Sequence, residues 1–198
     1  MYVKNTPDLA HWAKELDGVF TLADLRVVLS MDSEATLYRA LADLVKSGEL
    51  IKIKRGLYAA PGTSLEVISS RIEPQSYITT GTVLARHAII GSIPARKVQA
   101  VKKGRPRIYR CPLGVIEHLS ITPRLYFGFT SEEGRQVATP EKAFLDACYF
   151  HYKGKSFSYD LDTDVNKEDF DRKLINSYLR HYDPRFIDYY MQILGEDD

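Results

Sequence analysis

The sequence predicts an α+β fold, divided near residue 62 into a small N-terminal unit and a larger second part. Three observations predict it. Apolar residues recur at helical spacing over most of residues 6–47, alternate with polar ones over 49–60 and 97–110, and return to helical spacing beyond Pro140. At 198 residues the chain can hold one large domain or two small ones, each with a core. Its 44% hydrophobic and 27% charged residues are ordinary for a soluble globular protein. No apolar run approaches the roughly 18 residues of a membrane helix, and residues 1–5 lack the apolar core of a signal peptide. Cys111 and Cys148 are too far apart for a disulfide framework or a metal pattern, so the reducing cytoplasm is the expected compartment.

Thr6 and Pro7 suit the cap and first position of a helix, with Asp8 near its positive end. Leu9, Trp12, Ala13 and Leu16 continue it at helical spacing until Asp17-Gly18 stops it. Phe20-Thr21 enters a second helix whose Leu22, Leu25, Val28 and Leu29 share one face. Ser30-Met31-Asp32-Ser33 makes a turn with capping side chains, and a third helix runs over residues 33–47 to Gly48. On it Leu37, Leu41, Leu44 and Val45 fall within one stripe roughly 100° wide. The opposite side carries Ala35, Arg39, Ala42 and Lys46, with Thr36 and Asp43 beside them. From Glu49 to Lys54 the pattern changes to period two, Arg55-Gly56 turns, and Leu57 to Ala60 return before Pro61-Gly62 ends the unit.

Helices followed by a short basic hairpin are the order of a winged helix-turn-helix. Small residues beside one long arginine let a helix approach a groove floor, where arginine pairs with guanine edges. The expected partner is double-stranded DNA. Arg39 and Thr36 would read bases, with Ser33 and Ala35 at the leading end of the helix. Lys46 and the hairpin's Lys52, Lys54 and Arg55 would meet phosphates, setting affinity and position. Residues 1–62 carry eight basic and eight acidic side chains, which leaves open a winged helix that binds protein instead.

The whole fold is then an N-terminal winged helix-turn-helix over 1–62, followed over 63–198 by an α+β domain with a small antiparallel sheet and C-terminal helices. Residues 63–135 carry eleven basic and five acidic side chains, whereas 136–198 carry eight and thirteen, so the two stretches suit different partners. Between positions 86 and 124 nine basic residues meet one acidic residue, Glu117. This predicts a sheet with a basic face, a secondary surface made by Arg96, Lys97, Lys102, Lys103, Arg105, Arg107 and Arg110. Within it, Lys103-Gly104-Arg105-Pro106-Arg107 resembles a minor-groove AT-hook core, but flanking strands of similar length favour a hairpin tip. Residues 115–121 and 125–129 are further strand candidates.

Thr139-Pro140-Glu141 starts a helix, on which Glu141, Lys142 and Asp146 read as capping and solvated residues. Asp160-Leu161-Asp162-Thr163-Asp164 is the one apparent enzyme signal, since nucleotidyltransferases bind magnesium with an Asp-x-Asp pair. The Gly91-Ser92 that such a site would need lies nearly seventy residues earlier, so a solvated capping loop is the expectation. Two helices, over 167–182 and 184–194, close the chain. Its five histidines lack ligand spacing, and no Ser-His-Asp, phosphate-loop or dinucleotide pattern occurs. A non-enzyme with no metal and no cofactor is expected. The rivals are a nucleotidyltransferase using Asp160 and Asp162, and an adaptor whose basic sheet engages protein.

The run Leu37-Tyr38-Arg39-Ala40-Leu41-Ala42-Asp43-Leu44, then Gly48-Glu49-Leu50-Ile51-Lys52-Ile53-Lys54-Arg55-Gly56-Leu57-Tyr58, resembles the N-terminal domain of AbiEi-type antitoxins. Tyr77-Ile78-Thr79-Thr80-Gly81-Thr82 and the residues up to Ile90 look like that family's next strand and helix. Val137-Ala138-Thr139-Pro140-Glu141-Lys142-Ala143 is similar to its Pro-Glu-Lys-Ala helix start. The resemblance implies a bacterial regulator of a type IV toxin–antitoxin system that represses its own promoter at repeated half-sites. It also implies a cognate nucleotidyltransferase-like toxin, countered without a requirement for direct contact.

Overall fold

The computed structural model describes residues 6–194. Residues 1–5, read above for a signal peptide, lie outside it, and so does the capping expected of the Thr6, Pro7 and Asp8 side chains. The chain opens with α1 (Thr6–Glu15), β1 (Val19–Thr21), α2 (Leu22–Val28), α3 (Glu34–Ser47), β2 (Ile51–Lys54) and β3 (Leu57–Ala59). The three strands form an antiparallel sheet in the order β1-β3-β2. β1, too short to show a period, precedes the helix that Phe20-Thr21 was expected to enter. Thr21 then caps α2: the Asp24 amide donates to the Thr21 hydroxyl (3.2 Å), and the Thr21 amide donates to the Asp24 carboxylate (2.8 Å). Gly18, at φ 74°, precedes β1 where a Cβ would strike the Thr63 hydroxyl.

The second part comprises α4 (Leu65–Ile72), β4 (Tyr77–Ile78), α5 (Gly81–Arg86), β5 (Lys97–Lys102), β6 (Arg107–Cys111), β7 (Gly114–Ser120), β8 (Phe129–Glu132), β9 (Arg135–Ala138), α6 (Pro140–Tyr152), α7 (Arg172–Leu179) and α8 (Pro184–Leu194). The mixture of helices and strands is as expected, but the sheet is neither small nor antiparallel throughout. It has six strands in the order β6-β7-β5-β4-β9-β8, with β5 parallel to β7 and β4 parallel to β9.

The reason lies in residues 103–106. They do not form a hairpin tip, because β5 and β6 are not neighbours; the chain crosses the end of the sheet, runs out along the edge as β6, and turns back into the vacant slot as β7. β7 brings Ile116, His118 and Leu119 into the interior, whereas β6 exposes Arg107, Ile108 and Arg110. The apolar strand takes the inner place and the charged one the edge. Gly114 permits the insertion: a Cβ there would strike the Arg96 carbonyl, to which the Val115 amide donates (2.9 Å).

Two other expectations are corrected. The strand predicted over 125–129 begins only at Phe129, because Pro123–Leu125 is a short 3-10 helix. The helix predicted from 167 starts at Arg172, after a 3-10 turn at Lys167–Asp169. Between them Phe170 is extended and stacks on Phe144, with ring centroids 4.9 Å apart, while Asp171 caps α7.

Two apolar clusters hold the molecule. Phe20, Leu25, Leu37, Leu41, Leu50 and Tyr58 join the first helices to one face of the three-stranded sheet. The opposite face contributes Val19, Ile53, Leu57 and Ala59 to the cluster that fills the second part. The core therefore passes across residue 62, where the sequence pattern changes. α6 is buried at every position from Glu141 to Phe150 and packs against α5, α7 and α8. Among the described residues no helix is long and apolar enough to cross a membrane.

Candidate nucleic-acid interface

Leu37 and Leu41 anchor α3 in the first cluster and so fix which side faces outward. The exposed side holds Ala35, Thr36, Tyr38, Arg39, Ala42 and Lys46. Ser33 occupies the N-cap position, but its side chain makes no capping hydrogen bond, contrary to the expected role of that turn. At the other end Gly48, at φ 81°, terminates the helix as expected. Arg39, Lys46, Lys52 and Arg55 are all exposed.

The hairpin stands beside α3. Lys52, Arg55, Gly56 and Tyr58 from the hairpin, with Glu34 and Tyr38 from α3, line a cleft of about 510 Å³. Lys54 is not part of it. A bulge between Lys52 and Lys54 shifts the register, so Lys52 pairs with Tyr58 and Lys54 with Leu57, on opposite faces of the sheet. Lys54 leans toward the second part, its Nζ 5.9 Å from the centroid of the Tyr109 ring. Tyr38 and Glu34 are the cleft residues that the sequence pattern left unassigned. The available signal was angular: Tyr38 follows Leu37 by 100° on the helical wheel and so falls off the apolar stripe.

The basic residues of the second part do not make one face. Along β5, β6 and β7 the registers put Lys102 and Arg107 on one side of the sheet and Lys97 and Arg110 on the other. Most are engaged internally. Lys97 pairs with Glu117 at 3.1 Å and Lys102 with Glu73. Arg96 donates to the carbonyls of Leu113 and Pro112, and Lys103 lies 4.4 Å from the Tyr126 ring centroid. Burial pushes the Glu117 carboxyl up, but hydrogen bonds from Lys155, Gln99 and Lys97 outweigh it and hold it below the usual range. Arg105, Arg107 and Arg110 stay exposed.

Glu141, Lys142 and Asp146 are buried, where solvation had been expected. The Lys142 ammonium donates to Asp146 and, at 3.2 Å, to the Tyr182 hydroxyl. Tyr77 and Thr79 donate to the other carboxylate oxygen at 2.9 and 2.8 Å. Burial pushes the ammonium down and the carboxyl up, and contact between the two charges opposes both shifts. Glu141 accepts from the Asp171 amide at 3.1 Å, tying α6 to the start of α7.

The aspartate run 160–164 is an internally bonded loop. Asp160 accepts from the amides of Asp162 (2.8 Å) and Thr163 (3.0 Å), Asp164 accepts from the Asp160 amide (2.7 Å), and Asp162 pairs with Lys167 (2.6 Å). The carboxylates thus hold the loop as capping groups do.

No curated protein matches the chain. In fold, it is similar to the crystal structure of the RV2827C protein from Mycobacterium tuberculosis, with a TM-score of 0.63 and 11% identity. That likeness covers 95% of this chain and 75% of the other. Residues 7–61, which carry α3 and its hairpin, match the family described as transcriptional regulator, AbiEi antitoxin.

Proposed function

We propose that the protein is a DNA-binding transcriptional regulator whose residues 1–62 act as a winged helix-turn-helix domain, with β2 and β3 as the wing. One observation carries this: the small, arginine-bearing face of α3 is exposed, and beside it Glu34 and Tyr38 of the same helix share a cleft with Lys52 and Arg55 of the hairpin. α3 enters the major groove, where Arg39 and Thr36 read base edges, with Ala35 and Ala42 allowing close approach. Ser33, Lys46, Lys52 and Arg55 meet phosphates, and Lys54 serves the junction with β6 more than the DNA. The family matched by residues 7–61 supports the regulatory role. By the same likeness, residues 63–198 form the antitoxin-like domain of a cytoplasmic type IV system. The protein then represses its own promoter at repeated half-sites and counters a nucleotidyltransferase-like toxin. A regulator is favoured over a nucleotidyltransferase because Asp160 and Asp162 are bound into their own loop and to Lys167.

Binding to promoter DNA and to a scrambled duplex tests the proposal. Arg39→Ala should cost about 1–3 kcal/mol on the promoter and narrow the gap between the two duplexes, while Lys52→Ala weakens both alike. If both variants bind as the parent does, α3 and the hairpin are not the DNA-binding surface. The antitoxin role stands if the locus encodes such a toxin and co-expression of this chain restores growth.

A further inference from the structure

Among the described residues, Glu34 is the one carboxylate that lines the cleft between α3 and the hairpin. It is exposed at the start of α3 and makes no ion pair or hydrogen bond among the described residues, although Lys52 and Arg55 line the same cleft. Asp24 and Glu49, by contrast, accept hydrogen bonds from Thr21 and Ser47 close by. A carboxylate in the first turn is favoured by the positive end of a helix, but that benefit requires no place in a cleft.

Where a duplex enters this cleft, the carboxylate meets phosphates of its own sign of charge. It weakens contact with every sequence unless a base edge donates a hydrogen bond to it. In the major groove guanine presents two acceptors, thymine an acceptor and a methyl group, and adenine a donor beside an acceptor. Cytosine alone presents an amino donor with no acceptor on the same base. The position fits that contact. Glu34 and Tyr38, one turn apart, share the side of α3 that lines the cleft, next to the small residues Ala35 and Ala42. The first residues of a recognition helix are also the ones that contact base edges.

We propose that Glu34 is a specificity-determining residue: its carboxylate accepts a hydrogen bond from the amino group of a cytosine in the major groove and rejects the other bases at that position. This rests on the DNA-binding reading of α3. Lys52 and Arg55, in the same cleft, hold the neighbouring phosphates and so fix how closely Glu34 meets the groove floor.

Selection by the full chain from a pool of duplexes with a randomised segment tests the assignment, because the operator need not be known. Duplexes retained by the parent should share a cytosine, and replacing it should weaken binding about 5- to 150-fold. Glu34→Gln presents a donor and an acceptor side by side, so it should move the preference at that position from cytosine to adenine and leave the other positions alone. With one like charge gone, it should also bind a mixed-sequence duplex more tightly than the parent does. Because Glu34 is exposed and without a partner among the described residues, the variant should melt as the parent does. If Arg39→Ala changes the retained sequences but Glu34→Gln alters none of their positions, Glu34 reads no base and the α3 reading stands. Tighter binding of Glu34→Gln to every duplex alike, with all preferences intact, would make Glu34 a repulsive charge only and overturn the assignment. If Arg39→Ala and Glu34→Gln both leave the retained sequences unchanged, base reading by α3 falls together with it.

Discussion

Lys52 in the hairpin and Lys142 in α6 show two opposite uses of a lysine. Lys52 is exposed at a cleft and has no ion pair among the described residues, as do Arg39, Lys46 and Arg55 around it. Lys142 is 0% exposed, held by Asp146 and Tyr182 beneath the strand that carries Tyr77. Side chains of the first kind keep their charge available to something outside the protein. Those of the second kind fix how a helix sits on a sheet, because a buried charge is tolerated only with its partner in place. The difference explains why local net charge misleads here. In the basic stretch 63–135 Arg86, Lys97, Lys102 and Arg124 are held in ion pairs, whereas Arg39, Lys46, Lys52 and Arg55 of the charge-balanced N-terminal unit have none among the described residues.

The sharpest way to break this comparison is to remove one member of the buried pair. Asp146→Ala leaves the Lys142 ammonium uncompensated in the core and also frees the Tyr77 and Thr79 hydroxyls. Stability should fall by about 3–5 kcal/mol, measured as the shift of the denaturant midpoint, whereas replacing both charges with apolar residues of similar volume should recover much of the loss. A loss below about 1 kcal/mol would mean that the pair is not holding α6 in place.

How far these roles were legible follows from the range of the interactions behind them. α3 was legible because everything that defines it is local: the Leu37 and Leu41 stripe, the small residues opposite, and Gly48 at its end. The same local logic identified β5, β6 and β7 as strands but could not order them. The turn residues of 103–106 announce a change of direction without saying that β7 will return between the two strands they join. Thr139 and Pro140 correctly marked the start of α6. The burial of Lys142 depends on Tyr182, forty residues later, and on Tyr77, far earlier in the chain. The lean of Lys54 toward Tyr109 required a bulge that simple alternation does not show. Nothing local to Val19, Leu57 and Ala59 announces that they pack against the second part, because that follows only from a three-stranded sheet covered on both faces.

A smaller effect tests the interior through pH. His118 on β7 is buried, with Nε2 2.9 Å from the Ser69 hydroxyl and Nδ1 without a partner among the described residues. Burial, reinforced by nearby Lys102 and opposed by Glu73, lowers its pKa from 6.5 to about 4. The folded state therefore favours neutral imidazole. As the pH falls from the ordinary histidine value toward 4, the unfolded chain takes up a proton that the folded chain excludes, so stability drops through that window and is unaffected well above it. His118→Gln removes this contribution. Unfolding measured from neutral pH down to about 4 should show the parent losing on the order of 2 kcal/mol more than the variant. Parallel curves would mean that His118 takes up its proton as readily in the folded protein as in the unfolded chain.

The smallest change in stability should come from Tyr38→Ala, which sharpens the other side of the comparison. Tyr38 is 43% exposed, and Leu37 and Leu41 beside it already supply the buried stripe of α3. Its loss opens no core cavity, so unfolding should move by less than about 0.5 kcal/mol. The same residue lines the cleft with Lys52 and Arg55, where its hydroxyl can donate to a phosphate or a base edge and its ring can cover the sugar. Losing one such contact is worth about 1 kcal/mol, or roughly fivefold in affinity for duplex DNA. A fall in stability of more than about 2 kcal/mol would make Tyr38 a packing residue of the first cluster. Unchanged DNA affinity with unchanged stability would mean that the duplex passes over Arg39 and Lys46 without entering the cleft.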